Sequence, residues 1–395
     1  MNDLLKYRSL FSSLANCHYL ISNSLGAMPD KARDYINEYA DRWASRGVRA
    51  WEEGWWMMAR ETGDRLASIM GAPPDSVTMV PNVTTAEAII LSAMDFSGRR
   101  NKVVMVDMEF PSLLYLYREW LKDHGKLEIV ECPDGVTVPT ERLLEAIDET
   151  TLLVPISHVL FRSSYIVEAK AIIEKAHRAG AMVILDMYQS LGTITVDVTA
   201  LGVDFAVGGC IKWLCGGPGA CYLYSRPDIS KKTNPRFTGW LAHTRPFDFD
   251  TGSIDRIEGA YRFLSGTPAV PALYACRAGL EIISEIGAER IRERSKTMTG
   301  RLITGAADRG WKTTTPSDPE HRAGTVAIDI DNGNAIASEL NARNYLVDYR
   351  PKSGIRISPH FYNTDSELDD ILDEISIIID NKSYEKHLGA KKTVT

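Results

Sequence analysis

The stretch "VDFAVGGCIKWLCGGPGACYLY" (residues 203–224) places a single lysine between two apolar runs. The runs "FAVGG" (205–209) and "ACYLYS" (220–225) are continuously apolar, which is typical of strands covered on both faces. Lys212 follows the first run and precedes the glycine-rich segment "GGPG". Lysine is seldom buried unless a partner or a reaction uses its charge. The stretch alone leaves two interpretations: a side chain that reaches solvent from a loop, or an amine with a chemical role.

Further apolar runs alternate with helix-type segments upstream of this stretch. The segment "VEAKAIIEKAHRAG" (167–180) ends on basic residues and a glycine, as the helix macrodipole and a left-handed C-cap favour. This alternation predicts an α/β fold with a mainly parallel sheet flanked by helices. After about residue 260, mixed helices and strands predict a smaller α+β domain. The upstream apolar runs are "VTMV" (77–80), "KVVMVDM" (102–108), "TLLVPISHV" (151–159) and "AMVILDM" (181–187).

The composition argues against several classes of protein. The 395 residues are 44% hydrophobic and 25% charged, as in ordinary soluble globular proteins. A formal net charge of −7 argues against nucleic acid as a partner. Six scattered cysteines, with no CxxC pair and no zinc-type spacing, predict a reduced, cytoplasmic setting and no metal site. Residues 1–20 lack the apolar core of a signal peptide, and no run of about eighteen apolar residues predicts a membrane span.

Polar residues follow several of the predicted strands. Asp186 comes after "AMVIL", Ser157 ends "TLLVPIS", Thr84 opens the helix after "VTMVPN", and Lys212 follows "FAVGG". Ligands of open α/β sheets bind beyond the carboxyl ends of the strands, so these residues should meet at one edge. Each has an ordinary structural interpretation, as a helix cap or an ion-pair partner.

Together these residues have the chemistry of a pyridoxal phosphate site. A lysine that forms a Schiff base needs apolar surroundings that keep its amine neutral. An aspartate beside the pyridine nitrogen would keep that nitrogen protonated, and hydroxyl and N–H groups at a helix start suit a phosphate. The combination of Lys212, Asp186 and Thr84 therefore predicts pyridoxal 5'-phosphate as cofactor.

Motifs along nearly the whole chain resemble those of the class V (fold type I) pyridoxal phosphate enzymes, most closely the kynureninase family. The lysine stretch is one of them. The others are "YLISNSLGAMP" (19–29), "GVRAWEEGWW" (47–56), "EFPSLLY" (109–115), "DMYQSLG" (186–192), "GWLAHTRPFDFD" (239–250), "FLSGTP" (263–268) and "GIRISPHFYN" (354–363).

This resemblance implies a fold and an assembly. The fold would be the type I transferase fold, with a mainly parallel seven-stranded sheet and a smaller α+β C-terminal domain. Residues 1–55 would pack on the small domain and the active-site entrance, residues 56–260 would form the large cofactor-binding domain, and residues 261–395 the small domain. The protein would be a homodimer with active sites shared across the interface, and would bind neither nucleic acid nor membrane.

The resemblance also implies residue roles. Lys212 would carry the internal aldimine and shuttle protons, and Asp186 would pair with the pyridinium nitrogen. Arg356 would bind the α-carboxylate of an amino-acid substrate, a natural role for a bidentate guanidinium, and Asn23 would line the substrate entrance. The remaining cofactor residues would be Val83, Thr84 and Ser157 lining the pocket, Phe110 stacking on the ring, Gln189 at the phenolic oxygen, and Trp240 and Thr267 near the phosphate, Thr267 from the neighbouring subunit.

Three departures from the kynureninase pattern bear on the substrate. Leu113 stands at an aspartate position, Ile211 at a tyrosine position and Gln189 at a histidine position. We predict a lyase that acts on the side chain of an α-amino acid through a quinonoid intermediate, by hydrolytic Cβ–Cγ cleavage or β-elimination. The three departures also suggest an enzyme that has diverged from kynureninase and that acts in secondary metabolism.

Other activities stay open. They are a class V aminotransferase, a C–S β-lyase and, more remotely, a non-catalytic pyridoxal phosphate protein. A persulfide-forming desulfurase is disfavoured because no cysteine lies in 277–395. Arg350 is either a surface charge or a contact for a second acidic group on the substrate.

Overall fold

The computed structural model describes residues 2–389, which form three β-sheets and their flanking helices. The strands are β1 His18–Tyr19, β2 Val77–Val80, β3 Lys102–Val106, β4 Lys126–Val130, β5 Thr151–Ser157, β6 Met182–Asp186, β7 Phe205–Gly209, β8 Cys221–Ser225, β9 Lys312–Thr313, β10 Val326–Asp329, β11 Tyr345–Leu346, β12 Asp348–Arg350 and β13 Gly354–Ile357. The α-helices are α1 Lys31–Arg46, α2 Met58–Ile69, α3 Val83–Leu91, α4 Pro111–Leu121, α5 Thr140–Ala146, α6 Ala169–Ala179, α7 Val198–Leu201, α8 Pro227–Ser230, α9 Val270–Ile286, α10 Ala288–Asp308, α11 Gly333–Ala342 and α12 Asp365–Asp380.

The central sheet has seven strands in the order β2-β8-β7-β6-β5-β3-β4. Strands β3 to β7 run parallel, whereas β8 pairs antiparallel with both β2 and β7. Most of these strands are fully buried, as continuous apolar runs require. The predicted α/β architecture is therefore confirmed.

One strand of this sheet has no continuous apolar run. β4 is an edge strand whose residues alternate between exposed and partly buried, with Lys126 and Glu128 on the exposed side. A strand paired along one edge keeps one polar face, so the continuous apolar pattern did not reveal it.

Helices flank the central sheet, and α6 ends where the sequence indicates. α6 ends at Gly180, which adopts the left-handed conformation predicted for a C-cap. At the start of α3 the cap is Asn82, whose side chain accepts a hydrogen bond from the Thr85 N–H at 2.8 Å. The cap is therefore one residue before the helix, and the Thr84 hydroxyl is not used for it.

The C-terminal region contains a second sheet, in the order β12-β13-β10-β9, packed on α10, α11 and α12. Its core includes Leu302, Ile336 and Ile357. The N-terminal residues contact both regions: β1 pairs with β11, and the Gly26 N–H donates to the Ile211 carbonyl. The domain boundaries at residues 55 and 260 stay a prediction. Within the described residues, no helix is long and apolar enough to cross a bilayer.

Candidate active site

A cavity of about 460 Å³ opens at the carboxyl ends of β5, β6 and β7. Nine of the eleven predicted site residues line it: Asn23, Val83, Thr84, Phe110, Ser157, Asp186, Gln189, Lys212 and Arg356. Ser157, Asp186 and Lys212 come together because the parallel strands β5, β6 and β7 end at the same edge of the sheet.

The two other predicted residues lie elsewhere in the chain. Trp240 belongs to an aromatic cluster with Trp56, Phe247 and Phe249. Thr267 is exposed in the loop before α9. Neither residue lines the cavity of this single chain, and their roles stay a prediction.

Lys212 lies three residues after the end of β7 and is partly exposed to the cavity. Its Nζ atom is 4.4 Å from the ring centre of Tyr188 and 5.9 Å from that of Phe110. Burial, followed by the positive charge of Arg356, lowers the pKa of this amine to about 7. A large share of the amine is therefore neutral near neutral pH, as a nucleophile or proton acceptor requires.

The lysine loop is held against the N-terminal "NSLG" motif. The Gly26 N–H donates to the Ile211 carbonyl at 2.8 Å. A Cβ at position 26 would stand 2.2 Å from the Lys212 carbonyl oxygen, so only glycine allows this approach. The motif at residues 23–26 thus fixes the backbone that carries the lysine.

Asp186 is the last residue of β6 and is buried. Its carboxylate accepts a hydrogen bond from the Tyr188 N–H at 2.8 Å. Burial raises the pKa of this carboxyl above its usual range, while the nearby Lys212 opposes the shift. A cationic ring nitrogen beside Asp186 would favour its ionised form.

A chain of hydrogen bonds orients Gln189. Its Oε1 accepts from the Trp213 indole N–H at 2.9 Å, and its Nε2 donates to the Asn23 carbonyl at 3.0 Å. One amide N–H of Gln189 is left over for a ligand. The Asn23 side chain is 1% exposed, and neither its Nδ2 nor its Oδ1 has a hydrogen-bond partner in the described protein. Buried polar groups are normally paired, so Asn23 indicates a polar ligand in the cavity.

Two buried glutamates, Glu109 and Glu87, lie behind the cavity wall, and neither was predicted from the sequence. The Ser157 N–H donates to both Glu109 carboxylate oxygens at 3.1 Å, and its hydroxyl contacts the same carboxylate. Burial raises the pKa of Glu109 to about 8. Glu87 pairs with the Tyr117 hydroxyl, and burial raises its pKa to about 8 as well. Glu109 therefore positions Ser157.

Arg356 is 3% exposed, on β13. Its Nε donates to Asp348 Oδ1 at 2.7 Å, its Nη2 contacts the other carboxylate oxygen, and its Nη1 donates to the Phe161 carbonyl at 2.5 Å. Arg350, which also lines the cavity, approaches Asp348 Oδ2 to 3.1 Å.

Sequence reasoning missed Asp348. Strand register could have found it, because Asp348 lies directly opposite Arg356 across the β12–β13 pair.

The residues of the cavity fit pyridoxal phosphate. Lys212 provides an amine that faces the cavity, Asp186 provides a buried carboxylate, and the start of α3 provides N–H groups and the Thr84 hydroxyl. Phe110 is 45% exposed, so a face of its ring is available for stacking. Leu113 and Ile211, two of the departures from the kynureninase pattern, make part of the wall apolar.

Comparison with known proteins agrees with this fit. Residues 18–371 match the family model described as aminotransferase class-V. The chain is 31% identical to "Uncharacterized aminotransferase YcbU" of Bacillus subtilis (strain 168), over 94% of this chain and 97% of that protein. It is 27% identical to a kynureninase of Bacillus anthracis, over 100% of this chain and 95% of that one.

Solved structures share the fold. The apo structure of a cysteine desulfurase from Thermococcus onnurineus NA1 matches with a TM-score of 0.85 at 21% identity, covering 95% of this chain and 98% of that chain. A mutant of C-DES with glycine covalently linked to its PLP cofactor matches with a TM-score of 0.85 at 22% identity, covering 93% and 98%.

Proposed function

This chain belongs to the class V aminotransferase family and uses pyridoxal phosphate, and we propose that it is a lyase acting on the side chain of an α-amino acid. The observation that carries the proposal is the meeting of Lys212, Asp186 and Arg356 around one cavity. The similarity to kynureninases along the whole chain supports a lyase that cleaves the Cβ–Cγ bond with water.

Each of the three residues has one task. Bound pyridoxal phosphate supplies an electron sink for the bonds at the substrate α-carbon. Lys212 Nζ accepts the α-proton and returns it, because its lowered pKa keeps part of the amine neutral. Asp186 Oδ holds the proton of the ring nitrogen by opposing its charge. Arg356 binds the α-carboxylate with its remaining N–H groups and so orients the α-carbon.

The walls of the cavity suit a partly apolar side chain. Val159, Phe161 and Ile211 line it beside the polar residues. Phe110 packs edge-on against Phe161, with ring centres 5.2 Å apart. These surfaces would contact the apolar part of a substrate side chain.

Transamination is the second candidate, favoured by the B. subtilis relative that is named an aminotransferase. Its early steps use the same three residues, so the products distinguish the two activities. A β-elimination of a thiol would fall within the lyase proposal and release pyruvate.

The test uses the purified holoenzyme with kynurenine, 3-hydroxykynurenine and cysteine S-conjugates, while absorbance and products are followed. A lyase would release alanine with an anthranilate from the first two, or pyruvate with a thiol from the third. Conversion only when a 2-oxo acid is added would reject the lyase in favour of the aminotransferase. An unchanged spectrum with every amino acid would indicate a non-catalytic protein.

We also propose that the protein acts as a homodimer in the cytoplasm. Phe247 and Phe249 are 54% and 72% exposed beside Trp240 and Trp56, and a second copy would cover this aromatic cluster. The six free cysteines support a reducing setting. Light scattering should give twice the chain mass for the wild type and less for Phe249→Ser. A monomeric wild type would reject the dimer.

A further inference from the structure

We propose that the substrate carries a second anionic group at the end of its side chain, and that Arg350 binds it. The inference rests on the proposed function, because it takes Arg356 as the group that binds the α-carboxylate. It names the class of substrate: α-amino acids with an acidic side chain.

The β12–β13 hairpin brings both arginines to the same cavity. Asp348 and Arg350 are two residues apart on β12, so they lie on one face of the strand. Asp348 pairs in register with Arg356 on β13, and Arg350 pairs with Gly354. Both guanidinium groups line the cavity with Lys212.

One carboxylate serves both arginines. Asp348 is fully buried, holds Arg356 through two of its nitrogens, and approaches Arg350 at 3.1 Å. One carboxylate therefore contacts two guanidinium groups at the wall of the same cavity. Burial lowers the pKa of Arg350, the carboxylate of Asp348 opposes this shift, and the positive charge of Arg356 adds to it.

The two arginines differ in exposure. The Arg356 side chain is 3% exposed and the Arg350 side chain 24%, although both line the cavity. Binding one α-carboxylate requires one guanidinium, so Arg350 supplies a second cation to the same space. A guanidinium suits a planar anion such as a carboxylate, which it contacts through two N–H groups.

The experiment compares ligands of matched shape on the holoenzyme. Dissociation constants for L-glutamate against L-glutamine, and L-aspartate against L-asparagine, are measured from the change in cofactor absorbance. The variants are Arg350→Gln, Arg350→Lys and Lys352→Gln. The last removes a positive charge from the exposed hairpin loop without touching the cavity.

We expect the wild type to bind the acidic member of at least one pair about tenfold more tightly. Arg350→Gln should lose that preference with little change for the amide, Arg350→Lys should keep part of it, and Lys352→Gln should keep all of it. Equal affinity of the wild type for acids and amides would overturn the inference, as would an equal loss for both in Arg350→Gln. In these two outcomes amino acids still bind, so the proposed function stands. If no amino acid of any kind changes the spectrum, the proposed function fails and this inference fails with it.

Discussion

Two walls of the same cavity each carry a cation near a buried aspartate. The two walls differ in whether the cation readily loses its proton. On the sheet side, the Lys212 amine faces the rings of Tyr188 and Phe110, and burial lowers its pKa to about 7. On the hairpin side, Arg356 is bound by Asp348 through two nitrogens.

The comparison shows that burial and pairing with a carboxylate decide which chemical role a cationic side chain can have. An amine with little compensation loses its proton readily, which makes it a nucleophile and a base. A guanidinium bound by a carboxylate stays charged and oriented, which makes it a fixed anchor for an anion. The following variants test this contrast.

The largest effect is expected from Lys212→Ala. Removal of the amine should lower turnover at least about 10³-fold, because no other group at this position can move the α-proton. The measurement is steady-state turnover of whichever amino acid the product assay identifies. Lys212→Arg keeps a positive charge but no readily deprotonated amine, so it should be equally inactive. Turnover within tenfold of the wild type in either variant would refute the role of Lys212.

Asp348→Asn should be the most destabilising change on the hairpin side. It leaves two partly or fully buried guanidinium groups without their carboxylate, which should cost about 3 kcal/mol of the free energy of unfolding. Urea denaturation measures the loss. Asp329→Asn, an exposed aspartate on the neighbouring strand β10, is the matched control and should change little. Equal stability of the two variants would show that Asp348 does not anchor the arginines.

Arg356→Gln should lower kcat/KM for the amino-acid substrate about 10²-fold, because a buried charge-assisted contact to the α-carboxylate is lost. The affinity for pyridoxal phosphate, measured by equilibrium dialysis, should change much less. Arg356→Lys keeps the charge and should recover part of the activity. Parallel losses of substrate and cofactor affinity would contradict the carboxylate role.

The smallest effect concerns pH. The rate at which the apoenzyme combines with added pyridoxal phosphate should rise through pH about 7 and level off above it, because the protonated amine of Lys212 cannot attack. Since Arg356 lowers the pKa of this amine, Arg356→Gln should move the midpoint to higher pH, whereas Arg356→Lys should not. Stopped-flow absorbance across pH 5–9 gives the midpoint. An unchanged midpoint in Arg356→Gln would mean that the charge of Arg356 does not affect the pKa of the Lys212 amine.

Much of the fold could be predicted from local pattern. Continuous apolar runs identified six strands of the central sheet, because a strand covered on both faces has no polar side to display. The edge strand β4 was missed, since its alternating exposure follows from its place in the sheet. The two-residue pair of β1 and β11 was also missed, because so short a strand carries no periodicity.

The candidate site also contains residues that were predicted from the sequence and a residue that was not. Residue types and their order along the chain identified the family, the cofactor and nine residues that line one cavity, because each follows a recognisable strand or helix start. The partner of Arg356 was not identified, since Asp348 acts through the register of two antiparallel strands.

Local sequence is enough to define the elements and the chemistry that they carry, because apolar periodicity and functional group type are properties of neighbouring residues. The state of each functional group depends on contacts between distant parts of the chain. Arg356 donates to the Phe161 carbonyl across 195 residues, and Gln189 donates to the Asn23 carbonyl across 166. Desolvation and pairing arise only when such segments are assembled around one cavity, so the neutral amine and the anchored guanidinium become visible only in the folded protein.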